Sequence, residues 1–450
     1  MKNSSIRDSK SKRWLTLIIV SFTMLMGYFV ADVMSPLKSM IETQLSWNSE
    51  EYGLFSSAYG WLNFFFGMLI LGGIALDKFG IRLTGTASAV LMVIGAIIKY
   101  TAISHLHHGD SLLFGIDSQV LIAGIGYAIS CVGVETFGIT ASKVVVKWFQ
   151  GKELALALAL QVAVARIGTM LALSASVPVA KAFGTVTAPL SVAVITLLAG
   201  LVMFLYYCVL DKQFDKAESL ANNNEEEESF KLSDLVTLAN NKMFWLICFL
   251  CLTFYSAVFP FLKYATDLMV QKFGVNEDFA GMIPSLLPFS TLFFTPIFGT
   301  FIDRKGKAAT IMIIGSVLLL GIHLLFSIPA LDSSIIAIVL MIGMGLSFSL
   351  VPSAMWPSLA KITPQRQLGS AYAIIFWIQN GGLTLVPYYI GYLLRNYCES
   401  EVNGQIVYDY TYPMQTFSLI AAFAVIIAFA LKWEDKRKHY GLEEPNYKPD

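Results

Sequence analysis

The sequence predicts an all-α polytopic membrane protein: twelve transmembrane helices in two six-helix bundles. Three observations carry this expectation. Hydrophobic residues make up 56% of the 450-residue chain and charged residues only 14%, against roughly 25% charged in soluble proteins. Apolar runs of about 20 residues recur, the length that crosses about 30 Å of hydrocarbon at 1.5 Å per residue. An acidic stretch at 211–242, with Asp211, Asp215, Glu218 and the run Glu225 to Glu228, divides those runs six and six. It is too charged for the bilayer and reads as a solvated linker. A β-barrel would show short alternating segments instead.

Taken in order, a basic N-terminal tail (1–13) precedes spans at 14–36, 51–76, 83–104, 118–142, 153–178 and 188–210, the first bundle being 14–210. After the linker come spans at 243–265, 278–302, 308–330, 334–360, 367–394 and 412–433, the second bundle being 243–433, then a tail over 434–450. The spans are apolar runs bounded by breakers and charges. The first run, from Trp14, is too long for the apolar region of a cleavable signal and reads as an anchoring span.

With the N-terminus inside, the inner segments and tails hold 24 of the 31 Lys and Arg residues. The outer side holds six: Lys38, Lys99, Lys181, Lys263, Lys272 and Arg395. This bias places both termini and the linker in the cytosol. Net charge is zero, which gives no argument for nucleic acid. Cys248 and Cys251 form C-x-x-C inside the apolar run "FWLICFLCLTFY" and read as apolar helix thiols. The "HLHH" at 105–108 falls in an outer loop and is a poor metal candidate. No metal or cofactor is expected, and a monomer is. No phosphate-binding glycine loop or nucleophile constellation points to an enzyme.

The halves share a mark. "GGIALDKFGIR" (72–82) ends the second span and "GTFIDRKGK" (299–307) ends the eighth. Asp77, Lys78 and Gly80 match Asp303, Arg304 and Gly306 at one fixed offset of 226. Glycine permits a tight turn there, and the carboxylate can cap a helix or meet a cation. Six plus six spans, a charged linker and G-x-x-x-D-[RK]-x-G-x-R after span two resemble the major facilitator superfamily. Gly73, Asp77, Lys78, Gly80 and Arg82 fit that motif fully; in the second copy Ala308 stands where the last arginine would be. The resemblance implies that the motif steadies an outward-facing state through contacts between the halves, and that substrate binds near the midplane between them.

Four charges fall inside the expected spans: Asp32, Glu135, Arg166 and Lys263. A charge at mid-bilayer costs about 2.5–3.5 kcal/mol on insertion scales, so it faces a cavity or a partner. Arg166 is 14 residues into span five from Lys152, about 21 Å from the cytosolic end, and Glu135 is 8 residues before Lys143, about 12 Å in. The depths differ by about 9 Å, so both can line one cavity without direct contact. One reading is a structural salt bridge pinning spans four and five. The other holds the charges apart for a zwitterion: Arg166 for a carboxylate, Glu135 for an ammonium. Ala163, Ala165 and Gly168 are small enough for a ligand to approach the arginine.

The stretch at 133–168 resembles one branch of that superfamily, the domain-containing protein 1 branch, whose animal members are lysosomal dipeptide transporters. The residues that carry it are Gly133, Glu135, Trp148, Phe149, Gly151, Lys152, Glu153, Leu154, Leu160, Gln161, Ala165, Arg166, Ile167 and Gly168. "GYFVAD" (27–32), "AVFPF" (257–261), "KFG" (272–274) and 354–383 extend it over roughly residues 14 to 394. The chain departs from the branch in two ways. The N-terminal tail carries no acidic dileucine signal, so a bacterial cytoplasmic membrane is expected. Lys263 stands where the branch is uncharged; it is either a third substrate contact or a lysine snorkelling to the outer interface.

Asp32 either assists the ammonium, carries protons, or is a structural acceptor. Tyr28, Tyr59, Tyr127, Tyr255, Trp356, Trp377, Gln379 and Asn380 complete the expected cavity lining, with Pro357 freeing a carbonyl beside Trp356. The expected function is facilitative uniport of dipeptides by alternating access. The alternatives are a proton-coupled carrier of another small carboxylate or amino-acid-like substrate, and a non-transporting membrane receptor.

Overall fold

A computed structural model describes residues 9–150, 152–218, 240–364 and 367–445. Most of the 1–13 tail, Gly151 of the branch pattern, most of the 211–242 linker and the last five residues lie outside the described residues.

The first half comprises α1 (Lys10–Asp32), a 3₁₀ turn (Ser35–Leu37), α2 (Lys38–Leu45), α3 (Ser49–Ser57), a 3₁₀ turn (Ala58–Gly60), α4 (Trp61–Phe65), α5 (Met68–His105), α6 (Ser118–Phe149), α7 (Leu154–Phe183) and α8 (Thr187–Glu218). A two-residue hairpin, β1 (Leu112–Leu113) and β2 (Ile116–Asp117), joins α5 to α6. The second half comprises α9 (Lys242–Gln271), α10 (Glu277–Ala280), α11 (Met282–Lys305), α12 (Ala308–Ser327), α13 (Ser334–Ile362), α14 (Leu368–Leu393) and α15 (Thr411–Lys438). A second hairpin, β3 (Glu399–Val402) with β4 (Gln405–Tyr408), precedes α15.

Among the described residues, ten helices are long and apolar enough to cross a membrane. The other two spans have physical reasons for missing that standard. The second is broken into α3, a 3₁₀ turn and α4, then turns at Gly67 (φ 61°) into α5. The eleventh, α14, is 26 residues long but carries Gln379 and Asn380 in its middle. With these two the fold is the expected twelve-span, two-bundle architecture.

Helix starts are fixed by side-chain acceptors for orphan N–H groups. Asn48 opens α3 with a capping box closed by Glu51, Asp117 caps α6, and Asn241 caps α9. The range given for α5 takes in two helices, the end of span two and the whole of span three, which meet at the non-helical Gly80 (φ 75°, ψ 176°), so the two spans are separate as expected.

Several helices outrun their apolar runs. The α6 helix continues to Phe149 rather than 142, α8 to Glu218 rather than 210, and α15 to Lys438 rather than 433. Hydropathy marks where hydrocarbon ends, not where the helix ends. The extensions survive in water because their charges pair: Lys147 meets Asp211 at 2.8 Å and Asp215 at 2.6 Å, and Arg82 meets Asp215 at 2.8 Å.

The end where α1 starts and α15 stops is the base; the opposite end is the roof. Named contacts between the halves cluster at the roof and extend to mid-depth. Tyr52 donates to the Lys263 carbonyl at 2.7 Å, Lys38 meets Asp267 at 2.9 Å, and Gly53 lies against Gly391. Lowest is Trp377 of α14, which donates to the Phe64 carbonyl at 2.7 Å. At the base the charges turn to their own half: Asp77 to Lys143 at 3.0 Å, Arg13 to Glu153 at 3.3 Å, and Lys242 to Glu434 at 3.3 Å. Among the described residues, the named contacts therefore join the halves at the roof, and the halves part toward the base.

Two lysines counted as flanking outer charges are fully buried. Lys38 is enclosed with Asp267 and Glu42, and Lys99 donates to the Val30 carbonyl at 2.9 Å beneath the Tyr127 ring. Each has acceptors inside the protein and has no need of the membrane surface.

Candidate functional site

Glu135 and Arg166 sit at nearly one depth, a correction to the 9 Å offset expected from sequence. Because α6 runs on to Phe149, Glu135 is 14 residues, about 21 Å, above the base. Arg166 is 12 residues above the start of α7, about 18 Å. Counting from Lys143 had set Glu135 too low, since that lysine lies inside the helix.

The two charges are not paired with each other. Glu135 Oε1 accepts a hydrogen bond from the Tyr59 hydroxyl, carried by the 3₁₀ turn of the broken second span. Among the described residues no carboxylate lies within ion-pair distance of the Arg166 guanidinium. Instead it lies against two rings of the opposite half, 5.6 Å from the Phe259 centroid and 5.3 Å from that of Phe348. Cation–π contacts of this kind contribute about 0.5–2 kcal/mol and leave the N–H groups unspent. Gly168, two residues on, lies directly against the Leu25 carbonyl, so α7 approaches α1 closely just above the arginine.

An aromatic wall continues from these rings along the second half. Tyr255 packs on Phe259 (5.5 Å), Phe348 (5.4 Å) and Trp356 (6.5 Å), and Trp356 on Tyr372 (5.5 Å) and Phe376 (5.2 Å). The charges thus come from the first half and the apolar surface from the second. Tyr28 of α1 is half-buried.

Asp32 and Lys263 pair with each other across the halves. Lys263 Nζ stands 2.7 Å from Asp32 Oδ1 and also donates to the Ala31 carbonyl (3.2 Å), Ser35 Oγ (3.2 Å) and Tyr127 Oη (3.0 Å). Thr169 donates to Asp32 Oδ2 at 2.8 Å. The lysine is buried in protein, so it does not snorkel to the outer interface. Above it a second lock joins Lys38 to Asp267, with Ser39 donating to Asp267 at 3.0 Å and Tyr410 donating to it as well.

Other expected lining residues have more local partners. Gln379 accepts from the Cys251 thiol at 3.4 Å, so that cysteine is a helix thiol facing α14. Asn380 donates to the Phe376 carbonyl at 2.9 Å, while its Oδ1 is buried without a partner. Trp377 is exposed on its bond to Phe64.

The two motif copies differ. Around Gly73 and Gly80 there is open space, with Lys78 exposed, Asp77 on Lys143 and Arg82 on Asp211 and Asp215. Gly306 (φ 70°) packs against residues 443–445, and the neighbouring Lys307 N–H donates to the Glu443 carbonyl at 3.1 Å; Asp303 and Arg304 lie on the same turn of α11.

Phe348, Tyr52, Asp267 and Tyr410 were not singled out from sequence. A phenylalanine in an apolar helix carries no signal, and Asp267 was placed just beyond the seventh span, whereas α9 continues to Gln271.

Comparisons agree with this geometry. The family model described as Major Facilitator Superfamily matches residues 17–387, and again 264–445. The chain is 28% identical over 406 residues to the lysosomal dipeptide transporter MFSD1 of Bos taurus, covering 87% of this chain and 81% of that protein. It is 27% identical to the Homo sapiens protein of that name, covering 87% and 82%. Among solved structures, the nucleoside transporter NupG superposes with a TM-score of 0.69 at 17% identity, covering 93% of this chain and 99% of that one. The peptide transporter POT gives 0.68 at 12%, covering 94% of each. At such identities the solved structures speak for the fold alone. The chain is a transport protein, not an enzyme, and belongs to the Major Facilitator Superfamily.

Proposed function

We propose that this protein carries dipeptides across a membrane by facilitative alternating access. Arg166 takes the peptide carboxylate in a bidentate grip, and Glu135 takes the amino terminus. One observation carries the reading: two opposite charges at one depth on adjoining helices, neither neutralising the other. A structural ion pair would have closed that gap. The MFSD1 relatives are named as dipeptide transporters, which fits a zwitterionic guest.

The peptide backbone is read by the first half (14–210) and its side chains rest on the aromatic wall of the second (243–433). Stacking surfaces without fixed hydrogen-bond demands admit many side chains. The basic bias toward the base supports a cytosolic side for both termini and the 211–242 linker, and on that reading the form seen here opens inward. The location we assign is the cytoplasmic membrane, with the protein acting as a monomer. Dipeptide counterflow in proteoliposomes is the test: trans-stimulated uptake supports the reading, and binding without flux would favour a receptor.

A further inference from the structure

Lys263 does more than pair with Asp32. Its ammonium fills a cage of four oxygens, and all four belong to the first half: the Ala31 carbonyl, Asp32 Oδ1, Ser35 Oγ and Tyr127 Oη, at 2.7–3.2 Å. The cage is built without the lysine. Ala31 lies in the last turn of α1, where carbonyls lack intrahelical donors and the helix dipole is negative. Tyr127 spends its own proton on Ala31 at 2.6 Å, which leaves its lone pairs toward the cage. Thr169 holds Asp32 Oδ2 at 2.8 Å and so fixes Oδ1 inward. Ser35 and Tyr127 are buried. Lys99 does not fill the cage; its nitrogen donates to the Val30 carbonyl at 2.9 Å, behind the Tyr127 ring.

An ammonium has three hydrogens for four acceptors here. The plug comes from the other half, on α9, whose Lys263 carbonyl is itself held by Tyr52 at 2.7 Å. When the roof parts, α9 withdraws the only positive group that touches Asp32 among the described residues. A carboxylate left among buried oxygens needs another counter-charge.

We propose that these four oxygens form a monovalent-cation site, taking a primary ammonium or a potassium-sized ion, which Lys263 plugs when the roof is closed. Cation entry and roof closure then exclude each other. The inference needs no dipeptide, so it stands or falls apart from the function proposed above.

The experiment is chemical rescue of purified Lys263→Ala. Melting midpoints are measured in ethylammonium, potassium or tetramethylammonium chloride at equal ionic strength. The expected result is a rise of several degrees in ethylammonium or potassium relative to tetramethylammonium, which offers neither N–H groups nor a small radius. Response to ethylammonium alone marks an ammonium site; response to potassium also marks one that accepts a metal ion. The rise should vanish in Asp32→Asn/Lys263→Ala and be absent from the plugged wild type. Lys263→Met, which keeps the apolar stem, serves with potassium where the alanine variant does not survive purification. Equal midpoints in all three salts, a response that persists without Asp32, or an equal response of the wild type would overturn the proposal.

Discussion

Glu135 and Arg166 face one depth of the protein from adjoining helices, yet Glu135 takes its hydrogen bond from Tyr59 and Arg166 rests against Phe259 and Phe348. Each charge is held by something a ligand can replace. Tyr59 can yield its acceptor to an ammonium, and the rings leave the guanidinium edge free for a carboxylate.

Arg166→Ala and Arg166→Lys should both lose at least tenfold in dipeptide uptake while melting within a few degrees of the parent. Lysine keeps the charge but not the planar fork, and it stacks less well on the two rings. Uptake by Arg166→Lys at the parent rate would show that the fork is not used.

Tyr59→Phe removes the donor that holds the Glu135 carboxylate. A hydrogen bond to a charged group is worth about 1.5–3 kcal/mol, and 1.4 kcal/mol is a factor of ten. Because an incoming ammonium need no longer displace that bond, apparent affinity for free dipeptides should rise about tenfold, with turnover largely kept, in concentration-dependent counterflow. Unaltered affinity would mean that Tyr59 only packs.

How far the site could be read from sequence depended on the residue. Arg166 and Glu135 stood out because a charge in an apolar run needs a reason. The paired roof charges were harder. Lys38 and Lys99 lie near span ends, where a lysine in an outer loop and a lysine sealed in protein look alike. Their acceptors are Asp267, far along the chain, and a backbone carbonyl, which has no residue type to read. The twelve spans were legible because burial in hydrocarbon enforces length. The break in the second span was not, since the run holds several glycines and nothing in it marks Gly67 as the one that turns. The depth of Glu135 failed for the opposite reason: its helix continues on paired charges after the apolar run has ended.

Lys38 and Asp267 are both about 1% exposed at the side chain, so the roof lock is a buried pair. Removing one partner of such a pair costs about 3–5 kcal/mol, and removing both costs less than the sum. Asp267→Asn should lower the melting midpoint and raise labelling of cysteines introduced beside Ser39. Lys38→Met/Asp267→Leu should recover part of the midpoint. Strict additivity in the double-mutant cycle would show that the lock is not an energetic unit.

Asp77 and Lys143 are partly exposed, at 42% and 33% of their side chains, so their pair is worth about 0–1 kcal/mol. Asp77→Asn should therefore leave the melting midpoint unchanged. If the motif clasps the other half when the base closes, the variant should still shift cysteine accessibility toward the base-open form. An unchanged accessibility pattern would remove the motif from the transport cycle.

The central claim is that two buried charges await the two ends of one small guest. Heat protection of the purified protein by a free dipeptide, its N-acetyl form and its C-terminal amide tests this most directly. Protection by the free dipeptide, lost on capping either end, is the result this account predicts; equal protection by all three would contradict it.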